Sequence, residues 1–254
     1  MKSNRIIWIG GIIFFLLFCI ISVIFISNES FINKTNRTIK FLNKTETQEF
    51  IYADPDDYIK SLSTYDLYAR KVLNSNEYIS KILEGCLDFT ENQMKKLRKC
   101  SLIAKNFFNN GYMWKFSLID NVYEEGFPHT RTDIIFLSPN VINNDDDALI
   151  KILIHESIHI YQRYNKNINN YLIDNNYTIS RRRDSEPLIR ANPDLDEYIY
   201  RDKNGEEMLY IYKSTTPAGI NDIISKNEEH PYEKMAYELS AEYGKFKISK
   251  YKYI

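Results

Sequence analysis

The sequence predicts an α+β domain on three observations. Segments of helical period fill the chain from residue 54 to 110, and β-branched and aromatic runs follow at 112–119 and 132–142. After them comes an apolar helix that carries H-E-x-x-H within HESIHIYQ, residues 155 to 162. At 254 residues the chain has room for one good-sized domain with a core of its own.

The first element is of another kind. From Ile6 to Ile26 the chain carries no charge, and at about 1.5 Å per residue that run crosses a hydrocarbon core of about 30 Å. It exceeds a signal-peptide h-region and no A-x-A site follows, so residues 1–26 are expected to be an uncleaved transmembrane signal anchor. Lys2 and Arg5 precede the run while Lys34, Arg37, Lys40 and Lys44 follow it, which leaves orientation open by charge. The N-x-[ST] acceptors at Asn28, Asn33, Asn36, Asn43 and Asn176 tip the balance toward a type II arrangement with the domain lumenal or extracellular. Residues 27–53, polar and without clear period, are expected to be a stalk.

The domain then spans 54–254, as a helical part to 110 and a catalytic part from 111. Asp54-Pro55-Asp56-Asp57 supplies a cap, a first-turn proline and acids, which predicts a helix running to about Ser63. Helical patterns cover 65–84 and 91–109, the second opened by Thr90 and Gln93 in capping-box spacing. The two strand-like runs follow, separated by the turn-like EEGFPHT. Asn143 to Asp147 caps the motif helix and loads its N-terminus with negative charge. Residues 165–195 read as an irregular insertion. Asn204-Gly205 between YIYRD and MLYIYKS predicts a hairpin, and a last helix is expected from Pro231 to about Lys247.

Charge and cysteine restrict the function classes. Lys+Arg 33 against Asp+Glu 34, interspersed, forms no basic stripe for a phosphate backbone, so nucleic acid is not an expected partner. Arg181-Arg182-Arg183 is followed at once by Asp184 and Glu186 and reads as a solvated loop. Cys86 and Cys100 are the pair outside the apolar run; a disulfide between them is left open.

The chemistry concentrates in the motif. A helix turns about 100° per residue, so His155 and His159 project one turn apart from one face, close enough to grip one metal ion, with Glu156 beside them. With only 4 His in the chain, chance makes such a motif in about one of two hundred chains of this composition. In metallopeptidases the middle glutamate takes the proton of the attacking water and passes it to the leaving amine. Gln162, seven residues after His155, lies on the same face, either as a hydrogen-bond partner for a ligand or as a polar residue where the helix leaves the core.

A catalytic zinc needs three protein ligands. Position 165 is Asn, and the third histidine of H-E-x-x-H-x-x-G-x-x-H is missing. The last helix offers a carboxylate: Glu233 lies three residues before Ala236, a small residue that permits close helix approach, with Glu238 and His230 as alternatives.

HESIHIYQ followed by PYEKMAY resembles the gluzincin pattern HExxHxxQ with a later ExxAY. GFPHTRTDIIFLS and RANPDLDEY resemble, more narrowly, zinc metallopeptidases encoded by large DNA viruses, and the resemblance covers residues from about 126 to 243. It implies a zincin-like domain, a small sheet with the H-E-x-x-H helix, in which zinc is held by His155, His159 and Glu233 and Glu156 is the general base. It places His129 at the start of a cleft-edge strand, as a residue that lines the site or stabilises the oxyanion. The expected substrate is a peptide or protein lying along the strand at 132–138, and the expected location is a single-pass membrane, including a virion membrane. The alternative from another class is a zincin-like binding or structural protein, a virion envelope component or adhesin, whose zinc is non-catalytic or lost.

Overall fold

The computed structural model describes residues 39–225 and 228–245. The chain divides into two compact units, residues 1–39 and 40–254, and the second holds nearly all that is described. The expected span at 6–26 and the sequons Asn28, Asn33 and Asn36 lie outside the described residues, while the last helix, expected to run to about Lys247, ends at Ala241 and gives way to turns. Among the described residues no helix is long and apolar enough to cross a membrane.

The architecture is α+β, with eight α-helices and three small sheets among the described residues. β1 (Ile39–Phe41) leads into α1 (Lys44–Ala53), whose capping box joins Asn43 and Glu46. The end of the expected stalk is therefore folded. Thr47 and Ile51 on one side of α1 are buried, and the Thr47 hydroxyl meets the Ser117 hydroxyl at 2.9 Å. The helix expected from Asp54 is also corrected. Asp54 is the C-cap of α1 at φ 45, and its carboxylate accepts the Ile59 and Lys60 N–H groups, so 54–63 winds as turns.

The helix expected over 65–84 is two, α2 (Thr64–Ala69) and α3 (Ser75–Gly85), parted where Lys71 takes φ 61 and Asn74 caps the second. α4 (Glu91–Phe107) has the expected capping box. The main sheet has the order β1, β3 (Trp114–Ile119), β5 (Ile134–Leu137), β4 (His129–Arg131), with β2 (Cys86–Leu87) also on β3. β3 and β5 run parallel; β4 runs antiparallel to β5 and forms the outer strand. The run expected as one strand to 142 ends at Leu137, because Pro139 starts α5 (Pro139–Asn143) at its first turn, where a missing N–H costs nothing.

α6 (Asp146–Tyr164) opens on the Asp145 side chain and is buried over most of its circumference. It packs against α4, β4 and α8 (Pro231–Ala241). The stretch expected as irregular forms α7 (Ile168–Asp174) and β6 (Thr178–Arg182), since Ile168 and Tyr171 find a buried apolar position. β6 pairs with β7 (Tyr198–Arg201), and β7 with β8 (Glu207–Met208) across the expected Asn204-Gly205 turn, where Gly205 takes φ 80. β9 (Tyr210–Tyr212) pairs instead with β10 (Ile223–Ser225). Each arginine of the 181–183 run faces a carboxylate: Glu186 and Glu207, Asp184 and Glu197, and Asp66 in turn. Cys86 and Cys100 are free and buried, and burial pushes both thiols up to about 11.

Candidate metal centre

The ligand atoms of His155, His159 and Glu233 all lie within 4.8 Å of one another. The helical spacing brings the two histidines together, with Nε2 to Nε2 at 3.0 Å, and α8 brings Oε2 of Glu233 to 3.3 Å from His155 Nε2 and 3.9 Å from His159 Nε2. Ala236, fully buried, leaves α8 room to lie against α6. Two imidazole nitrogens and one carboxylate oxygen are the donor set of a His₂Glu zinc site.

The surroundings prepare those atoms. His159 Nδ1 lies 2.8 Å from Gln162 Oε1, and the Gln162 amide nitrogen donates to the Tyr232 carbonyl at 2.9 Å. The oxygen end of Gln162 therefore takes the Nδ1 hydrogen and leaves His159 Nε2 bare, the state a metal requires. Burial pushes the His159 imidazole down to about 3, so it stays neutral. Burial alone raises the Glu233 carboxyl, but the His155 hydrogen bond and both imidazoles bring it down to about 2. Burial likewise lowers His155, and Glu233 and Glu156 more than offset it, so its pKa is raised. The carboxylates thus favour positive charge at this spot, and these residues fit a divalent cation.

The alternative ligands are elsewhere. His230 is the N-cap of α8: its Nδ1 accepts the Tyr232 N–H and its Nε2 lies 3.3 Å from Asp196. Glu238 is exposed and is not in the three-residue group.

Glu156 is buried and turned to the sheet. The Thr130 hydroxyl of β4 lies 2.9 Å from its Oε2, and burial pushes its carboxyl up to about 7. Thr130 is clamped on its outer edge, where Asp194 Oδ1 takes its N–H at 2.6 Å and Arg163 donates to its carbonyl at 3.0 Å and also to that of Pro193. Burial and then Glu156 and Glu233 push Asp194 well above the usual carboxylate range.

Two expectations are corrected here. The strand at 132–138 is not free for a substrate: β5 has β3 on one side and β4 on the other, and the outer edge of β4 is occupied at Thr130. His129 lines the cavity, yet it is no oxyanion donor. Its Nδ1 meets the Phe127 carbonyl at 3.0 Å and so carries the hydrogen, leaving Nε2 bare and buried without a partner. The ring stacks on Phe136, its cross-strand partner, and burial pushes it down to about 4. Neighbours on a strand face opposite ways, so Thr130 reaches Glu156 and His129 turns into the core.

The site opens on a cavity of about 770 Å³ with Ile152, Ile220 and Ile223 among its apolar walls. Tyr237 stands at it, 59% exposed, with its ring 4.6 Å from that of His155. The sequence offered Tyr237 as one of 20 tyrosines, and only its place after Ala236 on the ligand helix marked it out. Thr130, Asn192 and Asp194 carried no signal of their own beyond lying in the segments of resemblance. Compared with family models, curated proteins and solved structures, the chain matches none of them. The geometry of its own residues therefore carries the functional conclusion.

Proposed function

We propose that this chain is a zinc-dependent metallopeptidase with a zincin-like catalytic domain. The observation that carries this is the convergence of His155, His159 and Glu233 within 4.8 Å beside a buried Glu156. A zinc ion held by those three residues supplies Lewis-acid polarisation of the scissile carbonyl and activation of a water. Glu156 would take the proton of that water and deliver it to the leaving nitrogen, with the Thr130 hydroxyl beside its Oε2 to hold the carboxyl in place. A pKa of about 7 suits a group that must accept and release a proton near neutrality. Gln162 holds His159 in its ligating tautomer, and the Tyr237 phenol stands where substrate enters.

The substrate occupies the cavity that Tyr237 and Ile152 help to line, and is not added as a strand along 132–138. The apolar run at 6–26 supports a single-pass anchor of type II, in a cellular or virion membrane, with the domain on the lumenal or outer side. A structural zinc protein would close the fourth position with a protein ligand, and the best candidate for that, His230, is spent on capping α8.

The test is zinc stoichiometry on the full-length protein beside His155→Ala and Glu233→Ala. One zinc per chain in the parent, lost in both variants, is the expected result. A parent without zinc ends the metallopeptidase proposal, and zinc retained by Glu233→Ala removes Glu233 from the ligand set.

A further inference from the structure

The R-A-N-P-D stretch, Arg190 to Asp194, passes beside the candidate metal centre without contributing a ligand, and its central amide touches the ligand carboxylate. Asn192 Nδ2 lies 2.9 Å from Glu233 Oε1 and 3.0 Å from Glu229 Oε2. Its Oδ1 accepts the Asp194 N–H at 2.9 Å. A donor end between two carboxylates and an acceptor end on an N–H permit only one orientation of the amide. Glu229 is held in turn by a two-pronged ion pair with Arg190, whose Nε is 3.0 Å from Oε1. Glu229 and Glu233 are buried, and Asn192 and Arg190 are half-buried at the cavity wall, so the two carboxylates of this relay are largely withdrawn from solvent.

The two oxygens of Glu233 are therefore not equivalent. Oε2 faces His155 and His159, and Oε1 faces the Asn192 amide. A carboxylate can ligate through one oxygen or both, and a second oxygen would take up a coordination position that an active zinc needs open. Resting on the metallopeptidase reading, we infer that Asn192 is a positioning residue: it occupies Oε1 and keeps Glu233 a one-oxygen ligand. Arg190 and Glu229 hold Asn192 in place for that task. The stretch thus serves both halves of the site, since Asp194 accepts the N–H of Thr130, whose hydroxyl is the partner of Glu156.

The experiment compares the full-length parent with Asn192→Ala and Asn192→Asp. Zinc affinity is read by competition with a chromophoric chelator, and coordination number by the visible absorption of the cobalt(II)-substituted protein. Asn192→Ala should bind zinc about 10–100-fold more weakly, the usual loss when a ligand's hydrogen-bond partner is removed. Asn192→Asp retains an oxygen to accept the Asp194 N–H, and it replaces the amide donor by a carboxylate that repels Glu229 and Glu233, so it frees Oε1 of Glu233 while keeping the local turn where the alanine variant does not fold. Its cobalt bands should weaken as the second oxygen of Glu233 joins the metal. Parental cobalt spectra in every variant that folds, with zinc affinity in Asn192→Ala within twofold of the parent, would overturn the inference while leaving the metal site standing. A parent that binds neither metal overturns the metallopeptidase reading, and this inference with it.

Discussion

The hydroxyl of Thr130 lies 2.9 Å from Oε2 of Glu156, which ties the outer strand of the main sheet to the residue next to the first histidine of the motif. Removing the carboxylate by Glu156→Gln should lower turnover by about 10²–10⁴-fold with zinc content unchanged. Thr130→Val should lower it about tenfold, the worth of one hydrogen bond to a charged group, and Thr130→Ser should restore it. A fluorogenic peptide library turned over by the parent is the assay. Parental rates in Glu156→Gln would rule out its role as base.

Removal of the metal should lower stability, because the ligands join α6 to α8. With zinc at a hundred times its dissociation constant the linkage is worth about 2.7 kcal/mol. Thermal unfolding with and without a chelator measures it. An unchanged midpoint in a zinc-binding protein would mean that the unfolded chain holds the ion as tightly as the folded one, so that folding assembles no zinc site.

His230 should prove to be a cap and not a metal ligand. His230→Ala is expected to cost about 1 kcal/mol of stability, His230→Asn much less, and both should keep one zinc per chain. Loss of zinc from a folded His230→Asn protein would return it to the ligand set.

His129 should make the protein sensitive to acid. Its folded pKa, about 4, lies below the unfolded value near 6.5, so its neutral form stabilises the fold above pH 6.5. As pH falls from 6.5 toward 4 the unfolded chain takes up a proton that the folded one refuses, and roughly 3 kcal/mol is lost. His129→Phe, which preserves stacking on Phe136, should flatten urea-unfolding stability across that window relative to the parent. Equal slopes for the two proteins would place His129 in contact with water.

Arg70 and Glu124 form a buried ion pair that also engages the Tyr58 and Tyr78 hydroxyls. Glu124 lines the cavity, so this pair ties the helical block to the site wall. Arg70→Met leaves Glu124 buried and uncompensated and should cost about 3–5 kcal/mol. Chemical denaturation reads the loss directly; a cost below about 1 kcal/mol would mean that water reaches the carboxylate.

What was legible in the sequence is what neighbouring residues decide among themselves. The 100° turn puts His155 and His159 on one face whatever surrounds them. Thr90 with Gln93, Asp145 with Ala148, and Asn204-Gly205 likewise satisfy backbone groups within a few residues. The same local logic failed at Asp54, where the aspartate that looks like a helix start closes the preceding helix and pairs with Arg131 far along the chain. It failed again at 44–53, whose buried side needs a partner surface to become visible.

Only the tertiary structure distinguishes Glu233 from Glu238 and His230, gives Thr130 to Glu156 and Asn192 to Glu233, and turns His129 inward. Each of these depends on which face α8, β4 or the 190–194 segment turns toward α6. That choice is made by packing between segments that lie tens of residues apart, and no local pattern encodes it.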